Sequence, residues 1–96
     1  MRQSFSPTTN TPLLKQFQTL PGVGKSIAQD LVEMGFHSLE DIKKQNPEDM
    51  YEQLNTLRGV VIDPCMLYTF RCVHYFLNTP KHKQEPELLK WWNWKK

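Results

Sequence analysis

The segment that decides the fold is Leu20–Leu31, which reads LPGVGKSIAQDL. Two glycines one residue apart, Gly22 and Gly24, predict a sharp turn through positive φ, with no Cβ between the main chain and an approaching molecule. The residues on both sides follow a helical pattern, so we expect the turn to join two helices, with Gly24 opening the second. The first N–H groups of that helix lack intrahelical acceptors and carry the positive end of the helix dipole, which favours a phosphate or carboxylate. Lys25 and Ser26 add a charge and a hydroxyl donor beside them.

A Gly-x-Gly pair before a helix has three other interpretations besides an anion-binding site. A tight turn between two helices also uses glycine for purely structural reasons, and this alternative stays open. A dinucleotide-binding fold is excluded because the glycines follow a helical pattern instead of a strand, and no third glycine follows at the required spacing. A P-loop is excluded because its glycine and its Gly-Lys-Ser do not stand at the required spacing here.

Capping residues and helix breakers along the chain predict five α-helices. Thr11-Pro12 begins the first, and Gly35 ends the second. The N-caps Ser38 and Asn46 begin the third and fourth helices, and Asp63-Pro64 begins a fifth that reaches about residue 78. We expect Leu57 to face inward, Gly59 to end the fourth helix, and Val60-Val61-Ile62 to be a buried linker, because this triplet is too short for a strand.

The length and the charge distribution indicate one small domain with a basic tail. The 96 residues carry a formal net charge of +2. Residues 1–80 contain seven Lys/Arg and eight Asp/Glu, whereas residues 81–96 contain five Lys and two Glu. We expect residues 1–10 to be a disordered arm, residues 11–80 the helical domain, and residues 81–96 a Trp-rich tail packed on it. The start of the chain lacks the features of a signal peptide and no apolar run is long enough for a membrane span, so the cytoplasm is the expected location.

The cysteines and histidines do not predict catalysis or metal binding. Cys65 and Cys72 are seven residues apart in one expected helix, which separates them by about 10 Å and excludes a disulfide within that helix. His74 falls on a different helix face from Cys72, and His37 and His82 are scattered. Without a nucleophile and base at a plausible spacing, we expect a protein that is not an enzyme and has no metal site.

The tail contains three tryptophans within four residues, Trp91, Trp92 and Trp94, among lysines. Indoles can stack on unpaired bases while lysines meet phosphates, which makes Lys90, Trp94, Lys95 and Lys96 candidate auxiliary contacts to nucleic acid. The competing interpretation is that these large apolar side chains pack the tail onto a small core. Both interpretations are compatible with one exposed tryptophan.

The spacing Leu-x-Gly-Val-Gly-x-x-x-Ala-x-x-Leu at residues 20–31 resembles the hairpin of helix-hairpin-helix DNA-binding proteins. The resemblance implies that Val23 is the buried plug of the hairpin and that amides around Gly22, Gly24, Lys25 and Ser26 hold a DNA phosphate. It also implies that the carbonyls of Gln18, Leu20 and Val23 hold a monovalent cation; the chain predicts no other cofactor.

The expected order of helices resembles a doubled helix-hairpin-helix unit of the SAM-like type. In this interpretation the second turn, at residues 57–63, is degenerate because it is longer and lacks Gly-x-Gly. The resemblance therefore implies an all-α bundle of five to six helices with one phosphate-binding turn. The layout is also similar to the C-terminal domain of TfoX-type competence regulators.

A closer resemblance covers most of the chain. It runs through residues 20–31, 46–51 and 67–72 and above all through the tail sequence LKWWNWK at residues 89–95. These segments resemble the small bacterial family of pathogenicity locus helix-hairpin-helix proteins, which also carries a mitomycin-resistance label. The resemblance implies nucleic-acid binding, with DNA damage or repair as the setting.

Two functions follow as hypotheses. The first is sequence-independent binding of the duplex DNA backbone through the hairpin. The second is a helical protein-interaction or adaptor module, with a protein partner or a homodimer, because residues 1–80 are not basic. A positive surface joining Lys25 to the tail lysines would favour DNA, and an exposed apolar face would favour a protein.

Overall fold

The computed structural model describes residues 11–95, and across them the chain is helical without a strand. The described α-helices are α1 (Thr11–Phe17), α2 (Lys25–Glu33), α3 (Leu39–Lys43), α4 (Pro47–Arg58) and α5 (Cys65–Asn78). Three short 3₁₀ turns, Lys81–Lys83, Pro86–Leu89 and Trp91–Trp94, complete the tail. The prediction of a small all-α bundle is confirmed. The predicted arm at residues 1–10, and Lys96, lie outside the described residues.

Local capping explains most of the helix boundaries. The Ser38 hydroxyl accepts a hydrogen bond from the Asp41 amide at 3.1 Å, which begins α3. The Asn46 side chain accepts from two amides in the first turn of α4, where Pro47 occupies the first helical position. Gly59 ends α4 with φ of +73°, a left-handed conformation that favours glycine. The capping residues that predicted these helix ends therefore form them in the structure.

The core lies between α5 and the other helices. Phe70 and Val73 of α5 are buried with Leu31 of α2, Ile42 of α3 and Leu54 of α4. The tail packs on α5 as well, with its last 3₁₀ turn against that helix. Residues of α5 therefore share one core with α2, α3 and α4, and the same helix carries the tail.

The connection between α4 and α5 differs from the prediction. Leu57 is 49% exposed, Val60 61% and Val61 85%, so Leu57 does not face inward and the linker is not buried. Ile62 alone of the triplet packs against the core. Its carbonyl accepts a hydrogen bond from the Tyr51 hydroxyl and its amide donates to Asn55 Oδ1 at 2.8 Å. Because side chains of α4 satisfy this backbone, the connection is held without burying its valines.

An ion pair joins the end of α4 to α2. The Arg58 guanidinium contacts the Asp30 carboxylate and lies 2.7 Å from Glu33 Oε1. Hydrogen bonding from Arg58 holds the pKa of Glu33 below its ordinary value. The pair orients the helix that begins at Gly24. Across residues 11–95, no helix has both the length and the apolar composition needed to cross a bilayer.

Candidate functional site: the turn between α1 and α2

The turn at residues 18–24 is anchored by two buried side chains, and a hydrogen bond closes it across its tip. Leu20 and Val23 are 2% and 6% exposed, so both anchor the turn in the core. The Val23 amide donates to the Leu20 carbonyl at 3.2 Å. Gly22 lies between them with φ of +78°, a backbone angle that residues with a side chain rarely adopt. The turn is thereby fixed in one shape with Gly22 at its tip.

Gly24 plays a different part from the one predicted. Its φ of −95° and ψ of −168° are extended and open to any residue, so the expected positive φ is wrong at this position. A Cβ at Gly24 would meet no atom within 4 Å. Glycine is therefore not required here by backbone shape or internal packing. It leaves the start of α2 bare toward solvent.

The amides that follow have no partner in the described chain. The Gly24 carbonyl accepts from the Ala28 amide at 2.9 Å, which closes the first turn of α2. The amides of Gly24, Lys25 and Ser26 have no acceptor among residues 11–95, and no side chain caps the helix. No acidic residue lies in the first turn, and Lys25 and Ser26 are exposed. The start of α2 is consequently electropositive and accessible.

The carbonyls predicted to hold a cation lie in the same turn. The Leu20 carbonyl already accepts the Val23 amide. The carbonyls of Gln18 and Val23 accept no backbone N–H within the described residues. Two of the three predicted oxygens are thus available to a cation.

The tail reaches the tip of the turn. A Cβ built on Gly22 would lie 3.3 Å from Trp91 Cδ1 and 3.4 Å from Thr69 Cγ2. Trp91 also packs edge-on against Trp92, with ring centroids 5.7 Å apart. Trp91 therefore lies directly beside the candidate anion site. The sequence indicated that tryptophans would pack the tail, but not which one would contact the hairpin.

The predicted auxiliary residues of the tail differ in their contacts and in their exposure to solvent. Trp94 is engaged within the protein: its indole N–H donates to the Leu88 carbonyl at 2.8 Å and its ring lies 5.6 Å from that of Tyr75. Lys90 pairs with Glu87 at 3.2 Å. Lys95 is exposed and close enough to Cys65 to act on that thiol electrostatically. Only Lys95 of these three thus brings free charge toward the turn.

A pocket of about 270 Å³ opens beside the turn. Gly22 and Ile27 border it on the hairpin side. Its other lining residues come from the start of α5, the residues before it and the tail: Ile62, Asp63, Cys65, Met66, Thr69 and Trp91. Sequence reasoning did not assign these residues to a site. The Asp63-Pro64 pair indicated a helix start and gave no sign that it faces the hairpin.

The start of α5 is closed to anions by its own carboxylate. Asp63 Oδ1 accepts a hydrogen bond from the Cys65 amide at 2.8 Å, and this bond lowers the pKa of Asp63. The Val60 amide donates to the Asn55 carbonyl at 3.3 Å. The second interhelical turn therefore offers neither free amides nor a positive field at these positions.

Both thiols stay protonated at neutral pH. Hydrogen bonding with Asp63 raises the pKa of Cys65, and burial raises the pKa of Cys72 to about 11. Both cysteines are free, and Cys72 Sγ lies 3.4 Å from the Leu88 carbonyl. Within residues 11–95 no three metal-binding side chains cluster.

Comparisons with known proteins identify relatives of the chain. The model of the Cdd1 family, described as pathogenicity locus, matches residues 10–96. A protein of Streptomyces lavendulae named mitomycin resistance protein McrB is 31% identical over 51 residues, which are 53% of this chain and 49% of that protein. The match spans about half the length of this curated relative. No solved structure matches the chain significantly.

Proposed function

The chain belongs to the pathogenicity locus family, and we propose that it binds DNA independently of sequence, through phosphate contacts at the turn between α1 and α2. One observation carries the proposal: the amides of Gly24, Lys25 and Ser26 have no acceptor in the described chain and open onto solvent past a residue without a side chain. Phosphate oxygens are the acceptors that suit such a helix start. We interpret α1, the turn and α2 together as a helix-hairpin-helix motif.

The surroundings of the turn support a backbone contact. Lys25 stands at the helix start, and Lys95 lies close enough to Cys65, which lines the pocket, to act on it electrostatically. A monovalent cation on the Gln18 and Val23 carbonyls would add positive charge where side chains supply little. Few phosphates are neutralised by so small a site, so the affinity is weak and sensitive to salt. A dimer or a partner domain would increase it.

We propose that this DNA binding serves the response to DNA damage or DNA repair. We also propose that the protein acts in the cytoplasm and binds DNA without catalysing a reaction. The name of the Streptomyces lavendulae relative, a mitomycin resistance protein, supports that setting. The proposal predicts contacts to the backbone of a duplex, since amides and lysines at the turn address phosphates and not base edges.

A specific observation favours a protein-interaction module as the second candidate. Leu57, Val60 and Val61 form an exposed apolar patch at the end of α4 and in the connection that follows. Ile62 next to them is held by Tyr51 and Asn55, so the patch is presented on a fixed backbone. Exposed apolar residues on a fixed surface suit a protein partner.

Duplex binding by variants of the turn tests the proposal. Gly24→Val places a branched side chain in front of the free amides, in a backbone conformation that valine adopts readily, so the variant folds and duplex affinity falls about tenfold or more. Lys25→Ala weakens binding modestly and lowers the logarithmic salt slope by about one unit or less. Lys43→Ala is the matched control, an exposed lysine on another helix.

The measurement is fluorescence anisotropy of a labelled duplex at two salt concentrations, after circular dichroism has confirmed the fold of each variant. Equal affinity of a folded Gly24→Val variant and the unaltered chain would contradict the proposal and favour the protein-interaction module. An effect of Lys43→Ala as large as that of Lys25→Ala would show that net charge, and not the turn, governs binding.

A further inference from the structure

We propose that the pocket beside the α1–α2 turn binds one unpaired guanine base of a DNA strand whose phosphate is held at the turn. The inference rests on the proposed phosphate contact and deepens it: the turn would hold the backbone while the pocket reads a base. It adds a specificity that contacts to phosphate alone do not provide.

The position of the pocket links it to the phosphate site. Gly22 and Ile27, which border the pocket, flank Gly24, Lys25 and Ser26 in the sequence, and the amides of these three residues have no acceptor among residues 11–95. A nucleotide joins its phosphate to its base through a single sugar. A strand bound by those amides therefore presents a base at the mouth of this pocket and not at a distant surface.

The walls of the pocket suit a flat aromatic ring. Trp91 supplies an indole on the tail side, and Ile27, Ile62 and Met66 supply apolar surface on the helices. The volume of about 270 Å³ is close to the smallest ligand pockets, about 300 Å³. Stacking on an aromatic side chain is the usual way in which proteins hold unpaired bases.

One charged group in the pocket selects among the bases. Asp63 is an acceptor that takes the Cys65 amide on Oδ1 and also hydrogen-bonds with the Cys65 thiol. A carboxylate has about four lone-pair sites, so it retains room for a further donor. Guanine presents two adjacent donors, N1–H and the N2 amino group, to such a carboxylate. Adenine, cytosine and thymine each place at least one acceptor next to a donor on that edge, which a carboxylate repels. The bond to the Cys65 amide also lowers the pKa of Asp63, so the group is ionised at neutral pH.

The same chemistry requires that the base is unpaired. In a duplex the N1 and N2 donors of guanine are engaged by cytosine and are not free for Asp63. Strand ends, single-stranded gaps and displaced bases expose them. The pocket would thus direct a phosphate-binding protein to irregular positions in DNA.

The test uses three labelled thymidine oligonucleotides that differ at one central position, which is guanine, inosine or an abasic site. Inosine lacks the N2 amino group and so loses one of the two donors. The unaltered chain should bind the guanine oligonucleotide about three- to tenfold more tightly than the inosine one. Guanine should also quench tryptophan fluorescence, whereas the abasic oligonucleotide should not.

Two variants identify the carboxylate. Asp63→Asn keeps an oxygen for the Cys65 amide but removes the second acceptor, so the guanine-to-inosine ratio should fall to about one. Glu52→Gln removes one exposed carboxylate from α4, away from the pocket lining, and should leave the ratio unchanged. Circular dichroism confirms that both variants are folded.

The outcomes separate this inference from the proposed function. Equal affinity for all three oligonucleotides, with Gly24→Val still weakening each, would leave the phosphate contact standing and overturn the guanine pocket. Preserved discrimination in Asp63→Asn would overturn it as well. Absence of DNA binding by the unaltered chain would overturn the phosphate contact itself and, with it, the guanine pocket.

Discussion

The two longer interhelical turns of the molecule are α1–α2 at residues 18–24 and α4–α5 at residues 59–64. They differ in side-chain burial and in which backbone amides have a hydrogen-bond acceptor. Both contain a glycine with positive φ, Gly22 at +78° and Gly59 at +73°. The first turn buries its valine, and the amides of Gly24, Lys25 and Ser26 that follow it have no acceptor among residues 11–95. The second exposes its valines. Asn55 of α4 accepts the amides of Val60 and Ile62, and Asp63 accepts the Cys65 amide.

This difference shows why glycine and valine content does not define a phosphate-binding turn. An anion needs free donors that point outward, and these exist only where the chain does not satisfy them internally. Asp63 places a carboxylate where an anion would approach α5, whereas Gly24 leaves that place open at α2. The second turn instead offers an apolar surface.

The largest expected effect concerns the three glycines. Gly22→Ala should reduce the free energy of unfolding by about 1 to 3 kcal/mol, because alanine is strained at positive φ. It also meets Trp91 and Thr69 at 3.3 to 3.4 Å. Gly59→Ala has the same strain without a close neighbour, so it should cost less, about 1 kcal/mol. Gly24→Ala should change stability by less than about 0.5 kcal/mol. Urea denaturation of the three variants gives the ranking, and an equal cost at Gly22 and Gly59 would show that the Trp91 contact adds nothing.

The next effect concerns the side chains that hold the second turn. Tyr51→Phe removes the hydroxyl that donates to the Ile62 carbonyl and should cost about 1 kcal/mol of unfolding free energy. Amide exchange should accelerate at Ile62, whose amide donates to Asn55, and stay unchanged at Val23. Tyr75→Phe, which loses a hydroxyl near the tail, serves as the control. Uniform acceleration across both turns would mean that Tyr51 stabilises the whole domain and not this connection.

A smaller effect should appear at acidic pH. The pKa of Asp63 is lowered in the folded chain by its bond to the Cys65 amide. A depressed carboxyl pKa stabilises the fold above the unfolded pKa, and this stabilisation is lost as the pH falls through the folded value, below about pH 4. Asp63→Asn should therefore have a flatter decline of stability in this range than the unaltered chain. An identical decline in both proteins would contradict the assigned role of Asp63 at the start of α5.

The smallest effect should follow from changing the exposed patch. Val61 is 85% exposed, so Val61→Ser should alter stability by less than about 0.5 kcal/mol. Duplex affinity should also stay unchanged, because the Asp63 carboxylate beside the second turn accepts the Cys65 amide and repels a phosphate there. A clear loss of DNA binding in this variant, with the fold intact, would place the nucleic-acid surface at the second turn.

The sequence predicted the helix boundaries, because these depend on capping interactions between residues close together in the chain. Ser38, Asn46, Gly35 and Gly59 each act on the backbone within a few residues, and the helices begin and end beside them as expected. The family resemblance was confirmed by the match over residues 10–96. Local signals of this kind depend on sequence neighbours alone.

Contacts between distant segments could not be predicted in the same way. Arg58 reaches Asp30 and Glu33 on another helix, and Trp91 reaches Gly22 across the domain. The amphipathic pattern placed Leu57 inward because it repeats with the helix, yet it does not show where the neighbouring helices stop covering that face. The pocket at Asp63 depends on three segments meeting, so no single stretch indicates it.

The central claim is that the start of α2, which no side chain caps, presents its amides to a phosphate backbone, and that the start of α5, where Asp63 accepts the Cys65 amide, does not. The most direct measurement is a titration of the isotope-labelled protein with a short duplex, followed by amide NMR shifts at low salt. The account predicts the largest shifts at Gly24, Lys25 and Ser26, with Val60, Ile62 and Cys65 unchanged. Shifts concentrated at Val60, Ile62 and Cys65, or in the tail with Gly24, Lys25 and Ser26 unaffected, would contradict it.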